Sequence, residues 1–126
     1  ATCPAAEDER DLSKVYLDLA LYEPIARGFA VEAEAFYTPT EKTYLAFAGE
    51  LITFEQMIRF LADYLAGDVY YKIARLEHNL DRARTQMKLI QSMHQQREQM
   101  HRITEAIWRD VSHSAEKRRS GLCASS

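Results

Sequence analysis

The sequence predicts a mainly α-helical protein built as one domain, and three observations carry that expectation. Only four glycines and three prolines occur in 126 residues, so helix-breaking residues are scarce. Phe54, Met57, Ile58, Leu61, Tyr64 and Leu65 recur at the i, i+3, i+4, i+7 spacing of one buried helix face. From Leu80 onward neither Pro nor Gly appears before Gly121, a span far longer than any ordinary strand.

The elements follow in order. Residues 1 to 11 read as an irregular lead-in, with Pro4 early and the acidic run Glu7-Asp8-Glu9-Arg10-Asp11 after it. Val15, Leu17, Leu19 and Leu21 then alternate, which alone hints at a strand. A helix is expected from near Leu21 to near Tyr37. Leu21, Ile25, Phe29 and Phe36 share one side of it, and Pro24 is tolerable in its first turn. Thr38-Pro39-Thr40-Glu41 is a capping box with proline at the first helical position, opening a short helix to about Gly49. Thr53-Phe54-Glu55-Gln56 repeats that signal for the strongly patterned helix, which Gly67 should stop in the left-handed conformation. Asn79 is a candidate cap for one long last helix, with Asp81 favourable near its N-terminus. The chain thus divides into the lead-in (1–11), a helical body (12–111) and a polar tail (112–126) expected to be disordered.

Composition limits the function classes. A formal net charge of −3 supplies no basic field for nucleic acid or anionic membrane. No run approaches the roughly 20 apolar residues of a membrane span. The N-terminus lacks a basic start followed by an apolar run, so no secretory signal is expected and the compartment is read as cytoplasmic. Cys3 and Cys123 stand at opposite ends in polar surroundings and read as free thiols rather than as a disulfide or metal site. The chain opens at Ala1 without an initiator Met; processing or a start inside a longer protein would each explain that.

Several chemistries fail on spacing. Gly28, Gly49, Gly67 and Gly121 are scattered, so no phosphate-binding glycine loop exists. Glu98-Gln99-Met100-His101 is half of a di-iron carboxylate motif, but no second Glu-x-x-His accompanies it. His94 and His101 lie on a Gln-rich face and read as solvated. A dimerising coiled coil of the last helix would place Gln and Arg in its seam, and Lys117-Arg118-Arg119 is too short to argue for nucleic acid.

The stretch from 53 to 86 holds the densest set of directional side chains. Arg59 and Asp63 are i, i+4, readable as an exposed pair. Tyr70 and Tyr71 follow the Ala66-Gly67-Asp68 turn and, if extended, point to opposite sides. Arg with its planar donors and Tyr with its flat face and hydroxyl also suit a sugar or other polyol. Packing and capping compete with that reading.

The runs RFLADYLAGDVYYKI and EHNLDRARTQMKL, with AEDERDLSKVYLDL and TFEQMIRFL before them, resemble the C-terminal end of the N-acetylhexosamine kinase (mucin desulfatase-like) group of the aminoglycoside phosphotransferase superfamily. The resemblance covers about residues 5 to 100. It implies the helical C-terminal lobe portion of a protein-kinase-like fold. Members of the group transfer the γ-phosphoryl of ATP to the anomeric hydroxyl of an N-acetylhexosamine, using Mg²⁺ for charge neutralisation. By position, Arg59, Tyr70 and Tyr71 would line the sugar pocket, with Asp63 and Asp68 as supporting residues and His78 to Asp81 structural. The family's catalytic and metal-binding loops have no counterpart in this chain. The resemblance therefore implies a substrate-side fragment, inactive alone, whose partners are the amino sugar and the rest of the kinase, and whose ATP and Mg²⁺ bind elsewhere. Two departures stand out: Leu76 replaces a common Pro, and nothing after Val111 matches. A free-standing helical interaction or dimerisation module is the alternative.

Overall fold

The computed structural model describes residues 1–123, apart from the side chains of Leu122 and Cys123. Four helices account for most of them: α1 (Leu19–Ala33), α2 (Pro39–Leu65), α3 (His78–Gln95) and α4 (Arg97–Cys123), after a short 3-10 turn at Leu12–Lys14. No strand occurs among the described residues. Helix α2 packs along α3 and also touches α4, while α1 packs on α4.

The alternation after Val15 is a real extended segment without a sheet. Val15 and Leu17 are buried and Tyr16 is exposed, the period-2 pattern of a strand. Side chains replace a neighbouring strand: Leu17 N–H donates to Ser92 Oγ (2.9 Å) and Gln96 Nε2 donates to the Leu17 carbonyl (2.9 Å). Asp18 N–H donates to the Thr2 carbonyl. The backbone's hydrogen-bonding demand is met from α3 and from the bend after it.

Helix α1 starts two residues before the expected position because Asp18 accepts the Ala20 N–H. Pro24 therefore lies in the second turn rather than the first, and α1 ends at Ala33 rather than near Tyr37. The face it buries is Tyr22, Ala26, Ala30 and Ala33. The stripe of Leu21, Ile25, Phe29 and Phe36 is exposed. Small side chains let α1 approach α4 closely, where Tyr22 Oη and Thr104 Oγ1 share a buried hydrogen bond of 2.6 Å.

At Thr38 both halves of the capping box form: Glu41 N–H donates to Thr38 Oγ1 (3.2 Å) and Thr38 N–H to Glu41 Oε2 (2.7 Å). The helix it opens does not stop at Gly49. The Thr53 hydroxyl, expected to cap a second helix, donates to the Gly49 carbonyl four residues back and stays inside the continuous α2. The buried face is again displaced from the expected one. Ala46, Thr53, Met57, Phe60 and Asp63 face inward, whereas Phe54, Ile58 and Leu65 are exposed. Gly67, at φ 94°, ends the helix as expected. Asp68 N–H reaches the Asp63 carbonyl (2.8 Å) and Gly67 N–H the Tyr64 carbonyl (3.1 Å), the paired closure of a Schellman motif.

The single long helix expected from Leu80 is two. Gln96 leaves the helical conformation (φ −103°, ψ 13°), and its side chain turns to Ser92 and Leu17. The polar segment expected to be disordered from Ser112 continues α4 to Cys123. Cys3 is a free, partly buried thiol; the Cys123 side chain lies outside the described residues.

Candidate functional site

The C-terminal end of α2 positions the site. One turn before the Schellman closure, the Asp63 side chain points into the loop that follows, and it is only 6% exposed. Its Oδ1 accepts Val69 N–H (3.1 Å) and Tyr70 N–H (2.8 Å), and its Oδ2 accepts Tyr71 N–H (2.9 Å) and Asn79 Nδ2 (2.8 Å). Burial pushes this carboxyl up, but the N–H donors of Tyr71, Tyr70, Val69 and Asn79 outweigh it and hold Asp63 below the ordinary aspartate value. Asp63 thus stays ionised and fixes three consecutive backbone amides.

Asn79, expected as a helix cap, does not cap α3; Glu77 occupies that position in the left-handed region with no side-chain bond. Asn79 is fully buried. Its amide joins Asp63 to Asp68 Oδ1 (2.8 Å), and its carbonyl accepts Arg82 Nη1 (2.8 Å). Asp68 itself sits at φ 60°, a conformation that Asp tolerates better than most residues. Arg82 also donates to the Lys72 carbonyl and lies 5.5 Å over the Phe60 ring.

On this frame stand the residues expected to face a ligand. Tyr71 packs on buried Phe60 (centroids 4.8 Å apart), and Gln56 Nε2 reaches its hydroxyl at 3.4 Å. Tyr70 stands edge-on to Tyr71 at 4.9 Å and is 73% exposed. The guanidinium of Arg59 lies 5.9 Å from the Tyr70 ring centre and 5.8 Å from that of Tyr71, a cation–π arrangement. Arg59 thus meets the tyrosines rather than forming the i, i+4 ion pair with Asp63, whose oxygens are taken by N–H donors. Arg59, Ala62, Asp63, Ala66, Tyr70 and Tyr71 line a shallow depression of about 380 Å³.

A second polar cluster, not anticipated, ties the lead-in to the α2–α3 loop. Arg75 donates to Asp8 Oδ2 (3.1 Å) and to Asp81 Oδ2 (3.0 Å). His78 Nδ1 accepts Ala74 N–H, so Nε2 carries the proton toward Asp8 Oδ2 (2.8 Å). Hydrogen bonds from Arg75 and then His78 hold the Asp8 carboxyl below its usual value. The acidic run at Glu7 to Glu9 opposite Arg75 and Arg82 was the available sequence signal.

A larger groove of about 540 Å³ lies where α4 passes the start of α2, with Lys42, His101, Glu105, Trp108, Arg109 and His113 in its lining. Lys42 Nζ sits 5.0 Å over the Trp108 ring. His94 is exposed, as its Gln-rich surroundings suggested, and faces Arg97.

No protein-family model matches the chain. Among the described residues no group of three or more His, Cys, Asp or Glu side chains is placed to hold a metal ion, and no helix is long and apolar enough to cross a membrane.

Proposed function

We propose that this chain is the substrate-side, C-terminal portion of an ATP-dependent kinase acting on an N-acetylhexosamine at its anomeric hydroxyl, within a protein-kinase-like fold. The observation that carries the reading is that the Arg59 guanidinium meets the Tyr70 and Tyr71 rings (5.9 and 5.8 Å to their centres), at the positions the sequence resemblance assigns to the sugar pocket. An exposed aromatic ring offers a face to the apolar side of a sugar, and a guanidinium beside it offers donors to hydroxyl or N-acetyl oxygens. Asp63 and Asp68 act behind them, holding the loop in place.

The residues of this corner do not fit a magnesium–nucleotide site. Both Asp63 oxygens are engaged by N–H donors, and Asp68 shares the Asn79 amide. No phosphoryl-transfer step is therefore assigned to this chain; ATP and Mg²⁺ belong to the remainder of the kinase.

Amide and guanidinium NMR signals of Arg59, Tyr70 and Tyr71 should shift on titration with N-acetylglucosamine or N-acetylgalactosamine, and an Arg59→Ala variant should lose the response. Unmoved signals at saturating sugar would overturn the assignment. The chain alone should phosphorylate no sugar from ATP, and measurable turnover would contradict the placement of the catalytic groups. In a complete kinase carrying this segment, Arg59→Ala should lower kcat/KM for the sugar while leaving the fold intact.

A further inference from the structure

The outward side of α2 carries an unbroken heptad seam. Tyr44, Phe47, Leu51, Phe54, Ile58, Leu61 and Leu65 follow one another at alternating steps of three and four residues, the a/d repeat of a coiled coil. Six of the seven are between 45% and 75% exposed, and Leu61 is half-buried. The face that meets α3 is different, made of Thr53, Met57, Phe60 and Asp63, so the described fold leaves the seam uncovered.

We propose that α2 pairs with α2 of a second copy of this chain in an antiparallel two-helix coiled coil. Area and pattern favour that occupant, and the helix dipoles its direction. At about 200 Å² for a large side chain, the exposed fractions leave roughly 600 Å² of apolar surface per copy. A symmetric pair then buries roughly 1,200 Å², the lower bound for specific interfaces, before the flanking Ala48 and Ala62 add to it. With Tyr44, Leu51 and Ile58 at a, Glu50 falls at g and Glu55 at e. Glu50 is neutralised by Arg97 of its own chain (2.7 Å) and sets no direction. Antiparallel pairing with Leu51 facing Phe54 sets Glu55 beside Ala48 and opposes the two helix dipoles. Arg59 at b and Ala62 at e, both in the lining of the Tyr70–Tyr71 depression, lie on one flank of the seam, so the pairing borders that depression; it does not depend on the kinase reading.

Sedimentation equilibrium of the 126-residue chain tests this. The wild type should weigh about twice its 14.6 kDa at concentrations up to about 100 μM. Leu51→Glu with Ile58→Glu should halve that mass at unchanged far-ultraviolet helicity, and Ile52→Glu, exposed at a b position, should leave the dimer intact. If the double variant loses helicity, the single Leu51→Lys replaces it as the deciding variant. A monomeric wild type, or a dimer that survives the seam substitutions with helicity intact, overturns the proposal. Nitroxides at position 44 (Tyr44→Cys with Cys3→Ser and Cys123→Ser) should lie about 25 Å apart or more in the antiparallel dimer. A distance of about 10 Å, the spacing of facing helices, overturns the orientation.

Discussion

The two helix pairs of this fold are made of opposite materials. Where α1 meets α4, the contact is Ala26, Ala30 and Ala33 against larger apolar residues such as Ile107 and Val111, with a buried polar bond at Tyr22 and Thr104 and an exposed Arg27–Asp110 pair at its edge. Where α2 meets α3, Thr53, Asp63, Asn79, Thr85 and Ser92 are buried among the apolar groups. Alanine contacts depend on closeness and carry little direction. The polar contacts are directional and extend beyond their helices: Asp63 orders residues 69 to 71, Ser92 receives Leu17 N–H, and Thr85 Oγ1 donates to the Glu9 carbonyl. One pair supplies packing, and the other also fixes the shape of the loops around it.

The largest effect should come from the junction of both materials. Phe60 is buried under Tyr71 and Arg82, and Phe60→Ala should cost about 3–5 kcal/mol, read from urea unfolding. In the alanine seam the sensitivity runs the other way. Ala30 has no exposed surface, so Ala30→Leu should destabilise by about 1–3 kcal/mol through overpacking, whereas the same change at exposed Ala62 should stay within about 0.5 kcal/mol.

The polar pair should be distinguished by pH. Asp63 and Asp8 have folded-state values below the ordinary aspartate one. Their contribution is present above the unfolded value of about 3.9 and is lost as pH falls through the lower folded value. Asp63→Asn should lower the melting temperature at neutral pH and flatten its acid decline, the two curves converging below about pH 4; parallel curves would remove Asp63 from the account. The last change is a gain. A Cβ at Gly49 meets nothing within 4 Å, so Gly49→Ala should stabilise α2 by about 0.5–1 kcal/mol, visible in the same unfolding curves.

Signals that close their own hydrogen bonds were legible in the sequence. The Thr38 box and the Gly67 stop both form as expected, because each satisfies donors within a few residues of itself. Which face meets a neighbour was not legible. The strongest apolar stripes of α1 and α2 point outward, since periodicity identifies an apolar face but not what lies opposite it. Gly49 and Thr53 resembled a stop and a start, yet without a left-handed residue to close the end, the Thr53 hydroxyl simply bonds back within α2. Asn79 read as a cap because its partners, Asp63 and Asp68, come from another element. The continuation of α4 past Ser112 had only weak apolar support, chiefly partly buried Ala115. In the candidate site, Arg59, Tyr70 and Tyr71 do come together, but what assembles them is the Asp63 carboxylate, which the sequence alone suggests only as half of an exposed pair or as a supporting residue.

The most direct test of that assembly is amide hydrogen exchange at Val69, Tyr70 and Tyr71 in the wild type and in Asp63→Ala. If Asp63 holds the loop, all three amides are protected in the wild type and lose protection together in the variant, while the amide of Met57 in α2 keeps its own. Equal exchange of the three amides in both proteins would contradict the account.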